Sequence, residues 1–263
     1  MSTPATMRDL VEDLPFHMPR RPGEEVIDDP RYVAILCPQP SPYQNLVQRV
    51  RLRPDEVAST VSEVRARFAA LGRRRVLWEI GSSATPADLA ERLLALGMVP
   101  DPRDPLLVGM VLERPLVFTD TGIVVRPVTT FDEFRISSQI LRRGTGRSEE
   151  DRAAVEASFA RSTAVPGLMR FMAWLGDTPV GMGEAIYVEA GAALCGGVTL
   201  PEARGRGVYR ALVAARWEEG RRRGTPVLVT QAGAMSRPIL KRLGFEEVVE
   251  MRILLDEIAE EGA

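Results

Sequence analysis

The chain has 263 residues, of which 45% are apolar, so it is long enough to bury one large core or two ordinary ones. Its net charge of −2 gives no overall field that would draw it to nucleic acid or to an acidic membrane surface. A single histidine, His17, with two distant cysteines, Cys37 and Cys195, excludes a standard zinc site and leaves no support for a His-based nucleophile.

The first half predicts alternating strands and amphipathic helices after a segment rich in proline and acid, which ends near Pro42. Within that segment the acidic stretch PGEEVIDDP is interpreted as a solvated arm. Apolar residues recur at steps of three and four in the first helix, which Gly72 closes. Thr85 and Pro86 predict the N-cap and first turn of the second helix. The predicted elements are strands at 32–36 and 46–52, a helix at 57–71, a strand at 75–80, a helix at 85–96 and a strand at 105–112.

The second half predicts a similar order of elements, so the two halves form an internal repeat. In this alignment Leu96-Gly97-Met98 falls on Leu243-Gly244-Phe245. We expect two domains with these bounds, 1–115 and 116–263. The predicted elements are a strand at 122–128, helices at 131–141 and 149–160, strands at 170–175, 180–188 and 194–200, a helix at 208–223, a strand at 226–231, a short helix at 235–243 and a strand at 245–255.

One segment breaks the repeat, the loop Arg204-Gly205-Arg206-Gly207 between a strand and a helix. The first half has no counterpart after Pro54, so the fold itself does not require these glycines. Glycines let the backbone turn sharply and expose its N–H groups, which then add to those of the helix N-terminus. The loop predicts a phosphate or pyrophosphate site, with a solvated basic turn as the alternative for so short a motif.

With these residues the sequence resembles the GNAT acetyltransferase superfamily, strongly over 122–255 and weakly over the first half. The motifs that carry the resemblance are TLPEARGRGVYRALV and SRPILKRLGF. It implies an α/β (α+β) protein of two GNAT-like halves, each a mixed, mainly antiparallel sheet flanked by helices, whose first copy has lost the cofactor loop. It also implies acetyl-CoA as cosubstrate, with its pyrophosphate on the loop and its pantetheine along the preceding strand. The implied cofactor-binding residues are Gly197, Val198, Thr199, Leu200, Arg204, Gly205, Arg206, Gly207, Val208, Tyr209 and Arg210.

The catalytic helpers that the resemblance implies are missing. The position of the usual general-acid tyrosine holds Leu240, that of a common asparagine holds Gly233, and the strand at 226–231 lacks the frequent acid. Glu184, the one carboxylate within the central strands, is therefore the catalytic candidate. A solvent-facing strand residue is the alternative interpretation of this glutamate.

These residues indicate an N-acyltransferase that transfers an acyl group, expected to be acetyl, directly from CoA to an unidentified small primary amine. The missing helpers favour a second hypothesis, a non-catalytic acyl-CoA-binding or regulatory module. A third, a structural interaction protein without cofactor, leaves the retained glycines unexplained. We expect no metal, nucleic-acid or membrane partner and a cytoplasmic location, and a homodimer is compatible with the sequence.

Overall fold

The computed structural model describes residues 6–39, 41–116, 121–148 and 150–259. The helices found there are α1 (Met7–Glu12), α2 (Leu14–His17), α3 (Val57–Ala70), α4 (Leu89–Ala95), α5 (Phe131–Thr145), α6 (Arg152–Thr163), α7 (Val208–Arg222) and α8 (Arg237–Arg242). The strands are β1 (Glu25–Asp29), β2 (Tyr32–Leu36), β3 (Leu46–Gln48), β4 (Arg75–Ile80), β5 (Val99–Pro100), β6 (Leu106–Leu112), β7 (Ile123–Pro127), β8 (Leu168–Leu175), β9 (Thr178–Val188), β10 (Gly191–Thr199), β11 (Leu228–Ala232) and β12 (Glu246–Glu257).

The strands of the described residues join in one sheet, in the order β1-β2-β3-β4-β12-β6-β11-β10-β9-β8-β7, with β5 beside β12. Most neighbours are antiparallel. The pairs β3–β4 and β10–β11 are parallel, and each is joined by a crossover helix, α3 or α7. The predicted mixed, mainly antiparallel sheet with flanking helices is therefore confirmed.

The internal repeat is visible in matching hydrogen bonds. After α4 the Met98 N–H donates to Leu93 O at 3.2 Å, and after α8 the Phe245 N–H donates to Leu240 O at 3.1 Å. The intervening glycines, Gly97 and Gly244, both take left-handed backbone angles, with φ of 91° and 95°. Both helices thus end in the same glycine-terminated turn, as the sequence alignment predicts.

The two halves exchange their last strands. Strand β6, from the first half, pairs with β11 of the second, with Leu112 opposite Leu228. Strand β12, from the second half, pairs with β4 of the first, with Ile253 opposite Glu79. The sheet therefore crosses the predicted boundary between 1–115 and 116–263. The division into two domains at this boundary stays a prediction. Residues 117–120, next to it, lie outside the described residues.

Helices cover both faces of the sheet, and strand alternation decides which residues face which layer. On β4, Trp78 packs in the cluster formed with α3 and α4, while Leu77 faces the opposite layer, under α1 and α2. Helices α7 and α8 pack on the core that Leu212 and Leu240 share. The N-terminal helix α1 contacts β6, β11 and β12, so it bridges strands contributed by both halves.

Four sequence predictions need correction. The stretch PGEEVIDDP is not a solvated arm, because it contains β1, which pairs with β2 beginning with Glu25 opposite Leu36. Helix α4 does not begin at Thr85 and Pro86, and its N-cap is Asp88. The backbone of Thr85 is instead hydrogen-bonded to Val50 and Leu52, which follow β3. Strand β3 is shorter than predicted and continues as a single bridge at Arg51. The helix predicted from Glu149 begins at Arg152, and Glu149 itself lies outside the described residues.

Candidate functional site

Strands β10 and β11 separate soon after they begin. Their parallel pairing covers Ala192 with Leu228 and Ala193 with Val229. Beyond that point β10 carries a bulge between Cys195 and Val198, where its register with β9 shifts. The bulge is an extra-residue kink that bends the strand. A gap therefore opens between the carboxyl ends of β10 and β11, beside the residues predicted to hold pantetheine.

The glycine loop follows directly from the end of β10. After a short 3-10 turn at Pro201–Ala203, Gly205 and Gly207 take left-handed angles, with φ of 74° and 82°. A Cβ at Gly205 would meet nothing within 4 Å, whereas a Cβ at Gly207 would lie 2.6 Å from Cγ2 of Thr121. Gly207 is thus required by packing as well as by its backbone angle, while Gly205 leaves open space above the loop.

The loop leads into α7, whose N-terminus carries no side-chain cap. By contrast Thr130 and Glu133 form a capping box on α5, and Asp151 caps α6. The first N–H groups of an uncapped helix are free to bind an anion, and the helix dipole makes that end positive. The arginines here, Arg204, Arg206 and Arg210, are exposed and make no ion pair with any described residue. Together these features form a positive cradle suited to a pyrophosphate.

The corresponding place in the first half is closed. The Thr85 N–H donates to Val50 O and the Leu52 N–H donates to Thr85 O, both at 3.1 Å, so the segment after β4 is hydrogen-bonded to the residues after β3. At the start of α3 the Glu56 carboxylate accepts the Arg53 N–H at 2.9 Å. The first half therefore lacks the gap, although α3, like α7, carries no side-chain cap.

A buried arginine, Arg216 of α7, lies beneath the bulge and was not predicted as a site residue. It is 1% exposed, and its Nη1 donates to the carbonyl oxygen of Glu184 at 3.0 Å. Burial lowers the pKa of this guanidinium. Its Nη2 has no hydrogen-bond partner among the described residues, and neither has the Thr199 hydroxyl on β10. Nothing in the local sequence distinguishes this arginine from the exposed ones on the same helix.

Tyr209, a predicted cofactor residue, lies against β10 at the bulge. A Cβ on Gly197 would be 2.8 Å from Cε2 of its ring, so the ring fits because that position is glycine. Burial raises the pKa of the phenol. The structure therefore brings Tyr209 and Gly197 together, and both lie next to Arg216.

Glu184 lies on β9 opposite Cys195, and its ion-paired side chain is only 19% exposed, so it is not a solvent-facing strand residue. Its Oε1 accepts Nε and Nη2 of Arg170 at 2.8 and 2.6 Å. Arg170 also donates to the hydroxyls of Ser137 and Ser138 at 3.2 and 2.9 Å, which fixes the pair against α5. The sequence did not reveal Arg170, because its neighbours come from a different helix and strand.

The positions of the missing helpers have other occupants. Leu240 is 1% exposed within the core of α7 and α8, so it is a packing residue. At Gly233 an added Cβ would lie 2.2 Å from Oδ1 of Asp104, a carboxyl contributed by the first half. Burial raises the pKa of Asp104. Gln231, on β11, donates to Val11 O at 3.0 Å and ties α1 to the sheet.

The remaining nucleophile near the gap is Cys195. Burial, with the nearby negative charge of Glu184 second, raises the pKa of its thiol to about 12. Since the thiolate is the reactive form of cysteine, this thiol is a poor nucleophile at neutral pH.

No group of His, Cys, Asp or Glu suited to a metal ion occurs in the described ranges. Among the described residues no helix is long and apolar enough to cross a membrane.

Comparison with solved structures gives matches over nearly the whole chain. A GCN5-related N-acetyltransferase from Kribbella flavida is 19% identical, with a TM-score of 0.69, over 97% of this chain and 96% of its own. A conserved protein of unknown function from Staphylococcus epidermidis is 14% identical, with a TM-score of 0.72, over 97% and 98%. A tandem GNAT protein from the clavulanic acid biosynthesis pathway is 18% identical, with a TM-score of 0.60, over 97% and 94%. No protein-family model and no curated protein matches the sequence.

The chain therefore has the GCN5-related N-acetyltransferase (GNAT) fold. More particularly, it has the tandem form of that fold, in which two GNAT-like halves follow each other in one chain. At these identities the likeness concerns the fold, and the activity has to be argued from the site.

Proposed function

We propose that the protein is an acyl-CoA-dependent N-acyltransferase whose CoA site lies in the second half. One contrast carries the proposal: β10 and β11 part beside a glycine loop and the N-terminus of α7, while in the first half the segment after β4 returns at Thr85 to pair with the residues after β3. The first half forms the same elements without the gap and the loop, so the fold alone does not explain their presence in the second half. The GNAT fold of the solved relatives supports this assignment.

The residues present fit CoA in both charge and shape. The N–H groups at Gly205–Arg210, with the exposed arginines there, would hold the pyrophosphate. The backbone of β10 and the following residue, Gly197–Leu200, would hold pantetheine, since β11 does not pair with it there. The orphaned Thr199 hydroxyl lies on this strand segment and needs a partner. When bound, acyl-CoA supplies a thioester-activated acyl group, whose C–S bond breaks as the C–N bond to an amine forms and whose CoA leaves as a thiol.

Glu184 is the proposed proton acceptor for the attacking amine. One of its oxygens is held by Arg170, so the carboxylate has a fixed orientation. Its other oxygen, Oε2, faces the bulge, where a Cβ on Gly196 would lie 3.3 Å away. The raised pKa of Cys195 speaks against a covalent acyl-cysteine, so the transfer is proposed to be direct.

A second candidate function is a non-catalytic acyl-CoA-binding module. The observation that favours it is the commitment of the Glu184 carboxylate to Arg170, together with the packing role of Leu240. A panel of primary amines with acyl-CoA donors, read by release of free thiol, separates the two functions. Thiol release that depends on an amine supports the enzyme, and CoA binding without turnover across the panel supports the module.

Calorimetric titration with CoA tests the site itself. We expect one CoA per chain, and a Gly205→Asp variant should bind at least tenfold more weakly because its carboxylate adds negative charge where the pyrophosphate is proposed to lie. Gly205→Asn controls for the side chain without the charge. Gly224→Asp adds the same carboxylate at the other end of α7, at a glycine with φ of 79° and equally open surroundings. Equal affinities for wild type and Gly205→Asp would refute the loop assignment.

A further inference from the structure

The guanidinium of Arg216 is buried without a counter-charge. Its Nε donates to Leu212 O at 2.9 Å and its Nη1 to Glu184 O at 3.0 Å, so both of these partners are neutral carbonyls. Within the described ranges, no carboxylate forms an ion pair with it, and Nη2 has no hydrogen-bond partner. A buried charge of this kind is strongly unfavourable unless it is paired and hydrogen-bonded.

The groups around Arg216 do not supply the missing negative charge. Burial lowers the pKa of Arg216, and the negative charge of Glu184 acts in the opposite direction. The Glu184 carboxylate nevertheless forms no ion pair with this guanidinium and is directed to Arg170 with bonds of 2.6 and 2.8 Å. The other titratable neighbours are the hydroxyls of Tyr187 and Tyr209 and the thiol of Cys195. Burial raises the pKa of each of them, so all three are neutral at physiological pH.

The unpaired side of the guanidinium faces bare backbone at the bulge. A Cβ on Gly183 would lie 3.4 Å from Nη2, and a Cβ on Gly197 would lie 3.8 Å from the same atom. Glycine at both positions leaves the guanidinium in contact with main chain on β9 and β10. Gly197 also begins the segment of β10 that is proposed to hold pantetheine, so Nη2 lies beside the acyl end of the proposed CoA site.

We propose that Arg216 binds a carboxylate on the acyl group, and that the preferred donor is the CoA thioester of a short dicarboxylic acid rather than acetyl-CoA. This inference rests on the proposed function, since it requires acyl-CoA in the second half. A carboxylate at Nη2 would give the buried cation the partner that the described residues lack. Charge-assisted hydrogen bonds of this type are among the strong ones in proteins.

The test compares thioesters of matched length by calorimetric titration of the wild-type protein. Succinyl-CoA is paired with butyryl-CoA, and malonyl-CoA with propionyl-CoA, so each pair differs in its terminal carboxylate. We expect the carboxylated member of at least one pair to bind ten times more tightly or better. If CoA binds but neither carboxylated thioester exceeds its neutral partner, the inference is wrong and the proposed function stands. If no CoA compound binds, both are wrong.

An Arg216→Met variant tests the residue and keeps the length of the side chain. We expect the preference within the pair to vanish while CoA itself binds within about threefold of wild type, provided that thermal unfolding shows a folded protein. Arg221→Met removes a charge from an exposed site on the same helix and should keep the preference. A folded Arg216→Met that still prefers the carboxylated thioester would overturn the assignment. If the variant does not fold, the thioester titrations of the wild-type protein alone decide whether a carboxylated acyl group is preferred.

Discussion

Glu79 should make the stability of the protein depend on pH. It lies on β4 beneath α1 and α2, is 8% exposed, and its Oε2 has no hydrogen-bond partner among the described residues. Burial, and then the negative charge of Asp13, raises the pKa of Glu79 from 4.5 to about 7. Burial likewise raises the pKa of Asp13 from 3.8 to about 6, with Arg49 acting in the opposite direction. The native state therefore keeps a proton on Glu79 at pH values where the unfolded chain has lost it.

The sign and size of the effect follow from proton linkage. Between pH 4.5 and about 7 the native state binds more protons than the unfolded state, so the free energy of unfolding falls as pH rises. One proton contributes about 1.4 kcal/mol per pH unit, which gives a loss of roughly 3 kcal/mol over this window. Above about pH 7 the effect of Glu79 is constant, because both states are then ionised.

A Glu79→Gln variant should remove this part of the pH dependence. The amide has nearly the same shape and stays neutral, so we expect the variant to gain stability relative to wild type as pH rises from 5 to 8. Urea unfolding at intervals across that range measures the difference, with similar m-values showing that the unfolded states are comparable. Glu218→Gln, an exposed substitution on α7, is the matched control. Parallel stability curves for wild type and Glu79→Gln would refute the reasoning.

The remaining predictions concern the proposed site. A saturating CoA titration should give one molecule per chain, because the first half lacks the gap, and two equivalent sites would contradict this expectation. If Glu184 accepts the amine proton, Glu184→Gln should lower kcat by about 10²–10⁴ and leave CoA affinity intact, whereas the exposed Glu189→Gln should keep the full rate. Cys195→Ala should retain activity, because burial raises the pKa of the thiol to about 12, and loss of turnover in a folded Cys195→Ala protein would revive a covalent mechanism. Arg216→Met should abolish the preference for a carboxylated acyl group.

The sequence by itself determined the local elements and their repetition. Helix α7 follows from apolar spacing after Gly207, and the matching turns at Gly97 and Gly244 follow from glycines at aligned positions. These signals are local, because helix periodicity and left-handed glycines act within a few residues of the chain. The GNAT fold was predicted from a resemblance to that superfamily, which the motifs TLPEARGRGVYRALV and SRPILKRLGF carry. The assignment of the loop residues to cofactor binding also comes from this resemblance and stays a prediction.

The N-terminal segment shows where local signals were too weak. Strand β1 is acidic and only half-buried, so its sequence lacks the alternation that marks most strands, and its place is set by pairing with Tyr32–Leu36. Helix α1 is short, and it is stabilised by packing Leu10 and Val11 against strands from both halves. Proline and acid in this segment predicted a solvated arm because composition says nothing about distant partners.

Only the tertiary structure decided how the halves join and what surrounds the site. The exchange of β6 and β12 joins strands far apart in sequence, and no local pattern specifies such pairings. The ion pair of Arg170 with Glu184 and the isolation of Arg216 likewise depend on which side chains meet across the sheet. An arginine on a helix has the same local sequence signal whether it is exposed or buried. Its charge becomes chemically significant when the fold removes it from water, which is a property of the assembled core.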